Sequence, residues 1–219
     1  MLPISAEDDV RRAFHLPMPP LHPLIDAASR GELPEWACAS KSRRRHMARV
    51  AKLMNQWGKA LALPKEVRRR WKAAAHLHDC VKEESPAELR RLLRGGLRRL
   101  PDGVLHGPAA SVLLRREGVV DEPLLQAVSY HTLGHPDFET IGLALYAADF
   151  LEPGRRSRST WRNALRERAP DDLNGVVHEI VRRRIHQLMK RGRPVRPETI
   201  ALWNSMAEEE AWVRASAAS

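Results

Sequence analysis

Cysteine is scarce in this chain: among 219 residues only Cys38 and Cys80 carry thiols, and they form no CxxC pair. That argues against a cysteine-built zinc site and against a disulfide framework. Aromatic residues make up only 5%, too few for the stacking platforms of a single-strand nucleic-acid binder. No apolar run approaches the length of a membrane span. The opening MLPISAEDDV has neither the basic start nor the apolar stretch of a signal peptide, so a cytoplasmic location and no membrane partner are expected. Sustained strand alternation, internal repeats and low-complexity tracts are also missing, which leaves an all-α fold class.

What is present is ordinary globular material, with 43% hydrophobic and 29% charged residues. The formal charge of +10, from 37 basic and 27 acidic side chains, favours anionic partners such as nucleotides, nucleic acid or acidic proteins. Arginines on solvated helix faces account for much of this charge, so nucleic acid is the less favoured partner.

Pro17, Pro19, Pro20, Pro23 and Pro34 make the stretch up to residue 41 an N-terminal extension that can hold only short helices, such as one near Pro23–Gly31. Helical spacing begins at Ser42, where Val50, Leu53 and Trp57 share a stripe. A second helix is expected from Pro64 to about Val81. Ser85 and Glu88 form a capping box for a third, which stops before Gly95-Gly96. Further helices are predicted from about Gly107 to Glu117, from a cap at Asp121 to near His131, and over Phe138–Leu151, the last apolar enough to be buried. After the basic loop Arg155–Ser159, two more helices are predicted, near Asp171–Lys190 and Pro197–Val213. The organisation is therefore an extension over 1–41, a helical domain over 42–158, and C-terminal helices over 159–219 packed on it. Trp203 and Trp212 on the last helix offer a route to a homodimer.

The informative residues are polar ones on buried-looking stripes. His46 lies with Val50, Leu53 and Trp57, and His78 with Trp71 and Ala75; His131 follows Leu124 and Val128, and Asp149 follows Ile141 and Leu145. A buried carboxylate without a cation, a metal or strong donors costs several kcal/mol. One such histidine is normally a satisfied core residue, but four such stripes and the adjacent pair His78-Asp79 point to a metal site. Imidazole and carboxylate suit iron, manganese or zinc. An aspartate has two oxygens and can bridge two ions, which together activate a water and neutralise a phosphate.

The segments RRRHMARV around His46, HLHDCVKE (His76–Glu83), LHGPAAS (Leu105–Ser111), YHTLGHP (Tyr130–Pro136) and ADFLEPGRR (Ala148–Arg156) together resemble the YqeK family of HD-domain symmetrical diadenosine tetraphosphate hydrolases. The resemblance covers about Ser42 to Arg156. It implies an HD-domain helical bundle with two divalent metal ions, by preference iron, with manganese or another ion as alternatives. It implies His46, His78, Asp79 and Asp149 as ligands of the first ion and Asp79, His106 and His131 as ligands of the second, with Asp79 bridging and catalytic. His135 is an alternative ligand for the second ion. The expected reaction is hydrolysis to two ADP by a hydroxide held between the metals.

Lys82, one turn beyond His78, is expected to be catalytic and to meet a phosphate oxygen or the attacking water. Glu83, Gly107, Thr132, Gly134, His135, Glu152 and Arg155 are the further substrate-binding candidates; Arg155 has a guanidinium that can grip a phosphate with two donors. Cys80 reads as packing. The chain departs from the family pattern in its proline-rich extension, its longer C-terminal part, His76 in a usually apolar place, and Ala110. Two alternatives stand beside this reading: the same fold acting on another nucleotide, and a nucleotide- or RNA-binding module with a structural metal, motivated by the basic loop and the run Arg182–Arg184.

Overall fold

The structure, a computed structural model, describes residues 21–154 and 160–217, with residues 209–217 as backbone only. All of the described secondary structure is helical. In chain order the α-helices are α1 (Pro23–Ser29), α2 (Lys41–Ala60), α3 (Lys65–Leu77), α4 (Pro86–Leu92), α5 (His106–Arg116), α6 (Glu122–Tyr130), α7 (Thr140–Leu151), α8 (Thr160–Arg168), α9 (Leu173–Lys190) and α10 (Pro197–Ala217), with short 3-10 turns at Gly95–Arg99 and Asp102–Val104. None of the described helices is long and apolar enough to cross a membrane.

Helix starts follow local chemistry. The hydroxyls of Ser40 and Ser85 accept the amide hydrogens of Arg43 and Glu88, and the Asp121 carboxylate accepts that of Leu124. Each satisfies a donor the helix itself cannot. Helix α2 buries Met47, Val50, Leu53, Met54 and Trp57 along one face. It lies against α3, where Ala73, Ala74 and Ala75 are fully buried and let the two backbones come close. The predicted apolar helix over 138–151 is α7, whose buried residues surround its axis. It touches α2, α3, α6, α8 and α9 and forms the middle of the bundle. Helix α1 of the N-terminal extension docks on α3, with Ile25 and Ala28 inside the common core.

Three departures from the sequence reading matter. Helix α8 was not expected; it is short and strongly polar, and it buries only Leu165. The two 3-10 turns fill a stretch read as a break after Gly95-Gly96. Most consequential, α3 ends at Leu77 instead of running to Val81. Residues 78–84 wind on as turns with bonds from Cys80 N to Leu77 O, Lys82 N to Asp79 O and Glu84 N to Val81 O.

The cause of that stop lies in His78. Its Nδ1–H donates to Ala75 O at 2.8 Å, the carbonyl that the Asp79 amide would use if the helix continued. His131 repeats the device at the end of α6, donating from Nδ1 to Val128 O at 2.8 Å. In both places an imidazole terminates its own helix and is held by it.

Candidate metal centre

Five elements deliver polar side chains to one point. His46 comes from the middle of α2, His78 and Asp79 from the end of α3, His106 from the first residue of α5, His131 from the end of α6, and Asp149 from the last turns of α7. His78, Asp79, His106 and His131 are all buried, Asp79 at 4% exposure.

The two Asp79 oxygens face different groups. Oδ1 lies 3.0 Å from His106 Nε2 and 3.5 Å from His131 Nε2. Oδ2 lies 3.6 Å from His78 Nε2 and 3.8 Å from His46 Nε2. Among the described residues two sets can hold a metal ion, His46–His78–Asp79 and Asp79–His106–His131, each with its ligand atoms within 4.8 Å of one another. Asp149 Oδ1 borders the first set, 3.1 Å from His46 Nε2 and 3.9 Å from His78 Nε2.

The donor set fits a cation. With Nδ1–H committed to Ala75 O, His78 presents the lone pair of a buried Nε2 that has no hydrogen-bond partner among the described residues, while His46 Nε2 faces Asp149 Oδ1 at 3.1 Å. His131 is oriented alike, and its Nε2 meets His106 Nε2 at 3.0 Å. Lone pairs and carboxylate oxygens packed this closely, away from water, call for positive charge. Burial pushes His78 down to about 4 and His106 down to about 3, so both rings are neutral at neutral pH and free to coordinate. Burial opposes ionisation of Asp79, but His78, His106 and His131 outweigh it and hold the carboxylate well below its usual range. Burial also disfavours charge on His46, yet Asp149, Glu152 and Asp79 together raise it.

The other predicted residues separate by role. Lys82 Nζ sits 3.0 Å from His106 Nδ1 and donates to Gly103 O at 2.8 Å, so its ammonium stands beside the second set. Thr132 Oγ1 is 3.1 Å from His131 Nε2, at the rim of the same set. Glu152, 2% exposed, does not face an open site: it accepts from His46 Nδ1 at 3.2 Å, from Arg49 and from the Gly154 amide. It thus turns His46 so that Nε2 points inward, the carboxylate–imidazole arrangement that raises ligand basicity. Glu83 instead accepts from Ser40 N at 2.5 Å and Ser40 Oγ at 2.8 Å, anchoring the start of α2. Gly107 is a packing residue: a Cβ there would fall 2.5 Å from Ser129 O. Gly134, with φ +84°, ends the turn after His131, and Leu202 fills the space a side chain would need. His135 belongs to neither metal-capable set; its Nδ1 accepts from Gln126 Nε2 and Asp137 N, both at 3.2 Å. Arg155 lies outside the described residues.

Two arginines had not been singled out. Arg43 Nη1 donates to Asp79 Oδ2 at 2.6 Å, and Arg49 holds Glu152. Arg43 lies three residues before His46, on the same helix face, which is the signal that could have found it. Cys80 is fully buried with its thiol pushed up by burial, consistent with packing. Of the basic run, Arg183 lies over the Trp161 ring and Arg184 over Tyr146, so two of its three guanidiniums are engaged internally. The Trp203 ring packs against that of His178, centroids 4.4 Å apart and tilted by 42°.

The HD-domain family model matches residues 43–187. A protein of Halalkalibacterium halodurans named "Bis(5'-nucleosyl)-tetraphosphatase, symmetrical" is 32% identical over 143 residues, covering 63% of this chain and 75% of that protein. One of the same name from Bacillus subtilis is 31% identical over 139 residues, covering 60% and 73%. A crystal structure from Clostridium acetobutylicum, described as a predicted HD superfamily hydrolase involved in NAD metabolism, superposes with a TM-score of 0.69 at 24% identity, over 78% of this chain and 91% of that one. That likeness concerns the fold.

Proposed function

The chain belongs to the HD-domain family and is a phosphohydrolase, and from that premise we propose that it hydrolyses diadenosine tetraphosphate symmetrically to two ADP at a site holding two divalent metal ions. The observation that carries the reading is Asp79, whose two oxygens address two separate histidine sets. The relatives named as symmetrical bis(5'-nucleosyl)-tetraphosphatases support a substrate of this class. A donor set of nitrogen and oxygen without sulfur suits iron, the ion we favour, as well as manganese.

When bound, the ions supply charge neutralisation and an acidified water. The chain's own residues do the rest. His46 and His78 would hold one ion and His106 and His131 the other, with Asp79 shared and Asp149 completing the first set. The helix ends at His78 and His131 fix those rings through their own carbonyls, so little reorganisation accompanies the reaction. Lys82, beside His106, would offset charge on a phosphate, and Thr132, beside His131, would meet a phosphate oxygen. In the reaction a water oxygen bonds to one of the two central phosphorus atoms while the oxygen bridging it to the other departs. The departing oxygen stays with one ADP, the new one with its twin.

The test is an assay of freshly purified protein on diadenosine tetraphosphate, with products separated by ion exchange and metal measured on the same sample. ADP as sole product, with about two metals per chain, is expected. Asp79→Ala should lose both metal and turnover while keeping its helical circular dichroism. ATP plus AMP would overturn the symmetric reaction; full turnover by the Asp79 variant would overturn the site. Cleavage of another nucleotide in preference would keep the site and change the substrate.

A further inference from the structure

Arg43 reaches the first histidine set from the surface. It precedes His46 on α2 by three residues, so the two side chains share a helix face. Its Nη1 donates to Asp79 Oδ2 at 2.6 Å. That oxygen stands 3.6 Å from His78 Nε2 and 3.8 Å from His46 Nε2. The Asp79 side chain is 6% exposed and that of Arg43 29%, so the arginine leads from the buried carboxylate out to solvent. We propose that Arg43 binds phosphate oxygens of the substrate on the side of the first set, as the counterpart of Lys82 beside the second; this rests on the proposed reaction.

Protein contacts leave part of this guanidinium unused. Beyond the bond to Asp79 its side chain makes no other hydrogen bond among the described residues. Nε is enclosed, 3.8 Å from Glu83 Oε1, and offers nothing to a ligand. The Nη groups carry further N–H donors. Neither neighbouring carboxylate takes them up: Asp79 already accepts from Nη1, and Glu83 has both oxygens engaged by the amide and hydroxyl of Ser40. Arg49, the next arginine along the same helix, is committed to Glu152. Arg43 is therefore the arginine of α2 that borders the shared aspartate with donors to spare.

A phosphate supplies what those donors lack, charged oxygens at a spacing that matches the planar fork. The bond to Asp79 orients the guanidinium before substrate arrives, so little rotamer freedom is left to lose on binding. The placement also matches a symmetric reaction. Lys82 Nζ stands 3.0 Å from His106 in the second set, while Arg43 Nη1 touches the Asp79 oxygen that faces the first. Cleavage between the central phosphorus atoms gives each half its own phosphates, and each half would meet one cation. An arginine that only steadied Asp79 would affect metal binding instead, and the two roles separate by experiment.

The test compares full-length, metal-loaded wild type with Arg43→Met and Arg43→Lys. Pyrophosphate and ADP are titrated calorimetrically, metal content is measured on the same samples, and initial rates are taken on diadenosine tetraphosphate. Arg43→Met is expected to keep the wild-type metal content and to weaken pyrophosphate and ADP binding by about tenfold or more. Its KM for the dinucleotide should rise by a similar factor. Arg43→Lys keeps the charge but loses the fork, so its affinities should fall between those of wild type and Arg43→Met. Pyrophosphate affinity equal to wild type in Arg43→Met overturns the inference. So does loss of metal from that variant, which would confine Arg43 to the support of Asp79. If the wild-type protein does not cleave the dinucleotide, the proposed reaction fails by itself, and the pyrophosphate affinities still decide the role of Arg43.

Discussion

Replacing Gly107 by alanine tests whether the crossing of α5 and α6 sets the metal geometry. A Cβ at position 107 would lie 2.5 Å from Ser129 O and 2.9 Å from Val128 O, where ordinary contact begins at 3.4 Å. Both obstacles are backbone, so α6 must retreat by roughly 0.9 Å; no flexible side chain can yield instead. The displacement acts on the site from two directions. Gly107 follows His106, and Val128 O is the acceptor that holds the His131 ring. His106 and His131, whose Nε2 atoms lie 3.0 Å apart, would be pushed away from each other. Metal–ligand distances tolerate about 0.2 Å, so the second ion is expected to be lost. Overpacking should cost about 1–3 kcal/mol, or roughly 2–12 °C in Tm for a domain of this size. Turnover should fall by about 100-fold, the usual effect of an ångström-scale misplacement. Metal analysis, calorimetry and kcat on the same preparation measure all three. An alanine variant that keeps about two metals, wild-type Tm and wild-type kcat would refute the argument.

Two further predictions follow from the same site. Lys82→Met should keep metal content and fold while lowering kcat by about 100-fold, the effect of deleting one charge-stabilising donor; unchanged kcat would reduce Lys82 to a tether for Gly103. The metal-free protein should lose stability as pH falls from about 6.5 towards 4. His76 and His78 are held down at about 4 and His106 at about 3, chiefly by burial, so the unfolded chain takes up protons that these folded rings refuse. His46, which is raised, opposes the trend as one ring against three. Thermal melts of chelated protein across this range would show it, and a midpoint that rises on acidification would contradict it.

Legibility in the sequence followed the range of the interaction. His46, His78, His131 and Asp149 stood out because helical periodicity placed each on an apolar stripe, and all four reach the centre. Helix starts at Ser85 and Asp121 were readable because a cap is a contact between residues three apart. Glu152 and Glu83 were named as substrate contacts, but the structure assigns them to His46 and to Ser40, residues 106 and 43 positions away. Gly107 was ambiguous for the same reason, since the Ser129 carbonyl that requires glycine belongs to another helix. The stop of α3 at Leu77 was missed because a histidine ring, not a proline or glycine, ends the helix.

The sequence by itself determined the all-helical class, the boundaries of most helices and the identity of the residues with metal-binding chemistry, because these depend on local propensity, short-range capping and donor type. The family resemblance implied two sets sharing Asp79; only the tertiary structure decided which oxygen serves which, Oδ2 facing His46 and His78 and Oδ1 facing His106 and His131. It also decided that Arg43 and Glu152 are partners of the site. Those arrangements arise from helices distant in the chain packing at close quarters, and no local pattern encodes which oxygen faces which ring.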